Sequence, residues 1–147
     1  MKAEELQLGD WVQVRTNEGN TYQGRVDVIY YGEIAVNVTA NIKGHVVMAT
    51  QAVKPEQVEP ILLTPDILTK NGFAHKHNHN EGWLSIEEYP NWSVDIKADE
   101  TPYRLIADNS TGVADIHDGI FVNKRINHVH ELQHALRLCN IEKEIII

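Results

Sequence analysis

Residues 21–39 read TYQGRVDVIYYGEIAVNVT, two β-prone runs that meet at Gly32. β-branched and aromatic residues dominate both runs, and in the second Ile34, Val36 and Val38 fall on one face of an extended chain. A strand, a glycine and a second strand predict a hairpin. Working backward, DWVQVR at 10–15 alternates polar with apolar and is followed by the polar turn Asn17, Glu18, Gly19, Asn20, which adds a strand before the hairpin. Working forward, Gly44 opens a further β-prone run at 45–50, and Lys54, Pro55 and Glu56 turn the chain into Val58, Glu59, Pro60 and Ile61. The single glycines Gly9, Gly19, Gly24, Gly32 and Gly44 read as punctuation between these strands. Four or five short strands within residues 1–62 have the size and rhythm of an SH3-like or Tudor-like small β-barrel. The alternative is one sheet continuous with the second half.

The second half, residues 63–147, reads differently. Thr64, Pro65 and Asp66 form a helix start, because a threonine N-cap accepts from orphan amides and proline at the first helical position has no amide to satisfy. Gly72 predicts a left-handed stop after Lys70 or Asn71, with Phe73 folding back on Ile67 or Leu68. The polar run AHKHNHNE at 74–81 predicts a loop, and strands are expected at 82–88, 92–97, 103–108 and 120–124, with 113–117 either strand or loop. Val129, Leu132, Leu136 and Cys139 recur at three and four and place an amphipathic helix near 127–139, closed by Asn140. The tail IEKEIII at 141–147 is β-prone and is expected to add a strand or pack on the sheet. The fold class is therefore α+β, an SH3-like barrel followed by a small antiparallel sheet with a C-terminal amphipathic helix.

Composition narrows the function. Among 147 residues, 13 Lys and Arg face 21 Asp and Glu, a formal net charge of −8, so phosphate backbones are repelled except at a local basic face. Arg15, Arg25, Lys43 and Lys54 are the candidates for such a face on the barrel. The start MKAEELQLGDW sets acids where a signal peptide needs an apolar run, and no stretch has the length of a membrane span, which predicts a cytoplasmic protein. Cys139 is the single cysteine, so neither a disulfide within the chain nor a thiolate metal cluster is available, and it reads as a buried structural thiol. Glycine-rich phosphate loops and the G-x-S-x-G nucleophile elbow are absent from the sequence.

One string points to chemistry. His130, Glu131, Leu132, Gln133 and His134 form H-E-x-x-H, the spacing that lets two imidazoles one helical turn apart share a zinc ion while the glutamate activates its water. The extended pattern with a third ligand fails, because Arg137 and Asn140 stand where it needs Gly and His. At roughly 100° per residue from Val129, the apolar stripe centres near 310° while His130 and His134 lie near 100° and 140°, which predicts a solvated outer face. His75, His77 and His79 alternate and would share one face of a strand, but a polar loop is the plainer reading; His128, His45 and His117 carry weaker signals. The aromatic residues Trp11, Tyr22, Tyr30 and Tyr31 could line a peptide groove on the barrel.

Three segments carry a resemblance: KAEELQLGDWV at 2–12, VEPILLTPDILTKNGF at 58–73 and VHELQHALRLCNIEKEI at 129–145. They resemble a group of small proteins of Bacteroides-type bacteria and their phages or mobile elements. Members of that group carry V-H-x-L-Q in the last helix, then Asn or another polar residue where this chain has His134. The resemblance thus does not demand a two-histidine zinc site and lends no activity. The sequence reading is a non-enzymatic binding or adaptor protein with a protein partner and no cofactor, possessing Trp11, Tyr22, Tyr30 and Tyr31 as its candidate surface. The alternatives are a zinc-dependent hydrolase with His130 and His134 as ligands and Glu131 as base, and nucleic-acid binding through the barrel.

Overall fold

A computed structural model describes residues 1–31, 33–42, 45–75, 82–86, 93–108 and 121–147. The chain divides into two compact units, Met1–Ile61 and Leu62–Ile147. Two five-stranded antiparallel sheets and a C-terminal helix make the fold α+β.

In the first unit the strands are β1 (Trp11–Arg15), β2 (Thr21–Tyr30), β3 (Glu33–Ile42), β4 (His45–Val53) and β5 (Val58–Pro60), in the order β4-β3-β2-β1-β5. Alternation puts Val12 and Val14 of β1 and Ile34, Val36 and Val38 of β3 into one core with Leu6, Val26, Val53 and Val58. A bulge at Asp27 shifts the β2–β3 register between Val26 and Val28. It reverses the pleat, so Ile29 packs on the core while Val28 and Tyr30 are exposed. Among the described residues no ladder joins β4 to β5, so the sheet is open where closure was expected. Gly24 corrects a second expectation. It is no turn residue but a buried position inside β2, paired with Val12 and Val38, where an added Cβ would lie 2.6 Å from the Asn37 carbonyl oxygen.

The second unit begins with α1 (Pro65–Lys70), whose N-cap Thr64 accepts from the Ile67 amide at 3.3 Å. Gly72 has φ +80°, and the Phe73 amide donates to the Leu68 carbonyl at 3.1 Å, closing a Schellman stop over buried Leu68. The sheet comprises β6 (Ala74–His75), β7 (Trp83–Ile86), β8 (Ser93–Lys97), β9 (Tyr103–Asp108) and β10 (Phe121–Ile126), each paired with the next. β6 replaces the start of the expected loop, since Ala74 and His75 pair with Ser85 and Leu84. Residues 113–117 lie outside the described residues, as do 87–88 of the strand expected at 82–88.

Helix α2 (Val129–Leu138) follows β10 and contacts it. Asn140 sits at φ +55° and the Ile141 amide donates to the Leu136 carbonyl at 2.9 Å, a second Schellman stop with asparagine in the left-handed place. The tail forms no strand. Instead Ile141 and Ile145 are buried, and the Asn71 side chain grips Ile146 from both sides, donating to its carbonyl at 2.7 Å and accepting from its amide at 2.8 Å. One side-chain amide thus supplies the partners that a neighbouring strand would have offered. Among the described residues no helix is long and apolar enough to cross a membrane.

Candidate functional site

The H-E-x-x-H string occupies the first turns of α2. His128 is the N-cap, with extended φ −127° and ψ 156°, and Glu131 stands three residues on. The Glu131 Oε2 accepts from the Asn127 amide at 2.7 Å and from the His128 amide at 3.0 Å, with the His128 Nδ1 3.3 Å away. This is the glutamate half of a capping box. Burial pushes the Glu131 carboxyl upward, but the two amides and the neighbouring His128 and His130 outweigh it and hold the group below the ordinary glutamate value. A carboxylate turned back onto the helix start is not aimed at a water shared by His130 and His134.

The two histidines are not on a solvated face. His130 is 7% exposed, Gln133 equally so, and His134 is half-buried. The His130 ring stacks on His128 with centroids 5.6 Å apart and meets His134 edge-on at 5.6 Å. The covered arc of α2 runs from Ala135 through Leu136, Val129 and Gln133 to His130, more than half the circumference. The angular projection from the sequence assumed a single apolar stripe along a uniform helix. At the first turn the N-cap ring lies over His130 and widens the covered side. Among the described residues no group of three His, Cys, Asp or Glu is placed to hold a metal. His75 sits on β6 with its Nδ1 3.2 Å from the Trp83 carbonyl oxygen, while His77, His79, His117 and the His45 side chain lie outside the described residues. Cys139 is fully buried, and burial raises its thiol above the usual range, which disfavours the thiolate.

The four aromatic candidates separate. Trp11 pairs with Arg25 across β1 and β2, and the guanidinium lies over the indole at 4.7 Å. Tyr22 is opposite Val14, near the start of β2. Tyr30 and Tyr31 form an edge-to-face pair, centroids 4.4 Å apart, at the other end of that strand. Tyr31 is 91% exposed at φ +43°, an unusual angle for an aromatic residue. Two of the basic candidates are engaged. Arg15 pairs with Glu59 at 2.9 Å, Arg25 covers Trp11, Lys54 is exposed and Lys43 lies outside the described residues.

What the first unit does assemble is a polar recess of about 390 Å³, lined by Thr16, Asn17, Glu18, Gln51, Ala52 and Gln57. The β1–β2 turn builds one wall, held where the Thr16 amide donates to Asn20 O at 2.8 Å and Gly19 takes φ +83°. A 3-10 turn at Pro55–Gln57 builds another, and its Gln57 side chain reaches Asn17 Oδ1 at 3.3 Å. None of these residues except the turn asparagine and glutamate drew notice in the sequence, because they come from three separated segments and only the sheet brings them together. In the second unit the Asp95 carboxylate accepts from the Ser85 and Ser93 hydroxyls, a satisfied polar cluster across β7 and β8. No family model, curated protein or solved structure matches this chain.

Proposed function

We propose that the protein is a binding module whose first unit is an SH3-like open barrel that takes a protein segment in the recess between the β1–β2 turn and the Pro55–Gln57 turn. The strand order β5-β1-β2-β3-β4, with a 3-10 turn joining β4 to β5, supports the SH3-like reading. The recess carries the functional one. Its lining is amide and hydroxyl groups with Ala52 and one carboxylate, Glu18, and contains no aromatic ring. A proline-rich ligand needs an aromatic-lined groove, so the chemistry favours an extended polar segment with a Lys or Arg directed at Glu18. Two observations weigh against the alternatives: Glu131 is engaged at the helix start, and Arg15 and Arg25 are engaged with Glu59 and the Trp11 ring.

A peptide display selection on the full chain, followed by amide shift mapping, tests this. Basic, polar sequences should be enriched, shifts should centre on residues 16–18, 51 and 57, and Glu18→Lys should weaken binding by about tenfold. Enriched peptides that leave those amides unmoved, or bind Glu18→Lys equally well, would refute the proposal.

A further inference from the structure

A sheet edge offers a row of backbone groups to any passing strand, and folded proteins blunt such edges with charge, proline or brevity. The two sheets have four edges, and three are blunted. β5 has three residues including Glu59 and Pro60, β6 has two residues, and β10 carries Lys124 and Arg125. The fourth, β4, is different. Its nine residues, HVVMATQAV, contain no Asp, Glu, Lys, Arg or Pro, and among the described residues its outer side makes no ladder. Val47, Met48, Ala49 and Thr50 are all exposed, which covers both pleat faces of the strand, and Met48 reaches 76%.

We infer that β4 is a self-pairing edge, joining a second copy of this chain by an antiparallel β4–β4 ladder about a two-fold axis at Ala49. The choice of a second copy follows from charge and size. With a net charge of −8, two copies repel wherever their acids meet, and β4 is the one edge longer than two residues that carries no charged side chain. Ala49 is the midpoint of His45–Val53, so a ladder centred there engages all nine residues. In that register Met48 faces Thr50 of the other copy, Val47 faces Gln51, and alanine meets alanine on the axis. Each large side chain then lies beside a smaller or flexible one, which suits a two-fold contact. The ladder reaches Gln51 and Ala52, which also line the recess, so strand pairing and a segment in the recess meet at that end of β4.

Sedimentation of the full chain from about 5 to about 500 µM reads the assembly directly. The mass should rise with concentration from the 16.7 kDa monomer toward twice that value. Ala49→Lys, an exposed change of the kind natural edges use, should weaken association by about tenfold or more. Ala49→Cys should oxidise to a covalent dimer, since antiparallel partners on the axis stand within disulfide reach and Cys139 is buried. Three results would overturn the inference: a wild type monomeric throughout the range, association untouched by Ala49→Lys, or an edge that captures a foreign strand while Ala49→Cys stays uncrosslinked.

Discussion

Glu131 is where the two readings of α2 part, and replacing it separates them. Its Oε2 serves the Asn127 and His128 amides at 2.7 and 3.0 Å, both partly buried. Glu131→Ala strips both donors of their partner. A lost cap costs about 0.5–2 kcal/mol. Removing a negative charge from a helix N-terminus adds about 0.3–1 kcal/mol. The sum is on the order of 1–3 kcal/mol. Glu131→Gln keeps an acceptor in place and loses only the charge, so it should cost less than about 1 kcal/mol. Urea unfolding at neutral pH, with hydrogen exchange at the first turn of α2 as the local probe, measures both. Equal effects of the two substitutions, or an alanine variant as stable as wild type, would refute the capping argument.

The same group fixes a pH dependence. The fold holds the Glu131 carboxyl below its ordinary value of 4.5, so the unfolded chain binds the proton more readily. Its stabilising contribution is therefore complete above 4.5 and declines as pH falls from there through the lower folded value. The stability gap between wild type and Glu131→Gln should narrow over that acid interval and stay constant above it.

Two further substitutions probe the packing of each unit. Gly24→Ala forces a methyl group to within 2.6 Å of the Asn37 carbonyl oxygen and the Val36 Cγ1, and overpacking of this kind costs about 1–3 kcal/mol; an unchanged thermal midpoint would show that β2 and β3 are not held so closely. Asn71→Ala removes the bonds to the Ile67 and Ile146 carbonyls, both 2.7 Å, and the one from the Ile146 amide, for a loss of about 2–3 kcal/mol at roughly 1 kcal/mol each. Exchange at Ile146 should accelerate more than exchange within α2, and a tail that keeps its protection would show that burial of Ile141 and Ile145 alone secures it.

The strands and helix ends were legible because local chemistry decides them. Period-two alternation at Val12 and Val14 and at Ile34, Val36 and Val38 needs no tertiary information, and neither do the Thr64 cap or the Gly72 and Asn140 stops. What failed depends on neighbours distant in sequence. The bulge at Asp27 sends Tyr30 outward where simple alternation from Val26 would turn it inward, which scatters the aromatic candidates. Gly24 resembles a turn glycine until β1 and β3 are seen to flank it. The tail is β-prone by composition, yet Asn71, 75 residues away, satisfies its backbone. The recess has no signal of its own, since Glu18, Gln51 and Gln57 converge only once β1, β2 and β4 share a sheet.

The H-E-x-x-H string shows how one pattern can satisfy two kinds of chemistry. Both a capping box and a zinc peptidase motif require a glutamate on a helix a few residues from other polar groups, and sequence spacing alone cannot divide them. The position of the helix start divides them. A glutamate at the third helical position meets amides with no intrahelical partner, and those donors capture the carboxylate. One turn further in, the same amides are bonded to preceding carbonyls and the carboxylate is free to face outward. Here β10 ends at Ile126 and α2 begins at Val129, which leaves His128 as the N-cap and Glu131 within the first turn. This helix begins at Val129, one residue ahead of the motif, so Glu131 falls at the third helical position and the orphan amides take its carboxylate.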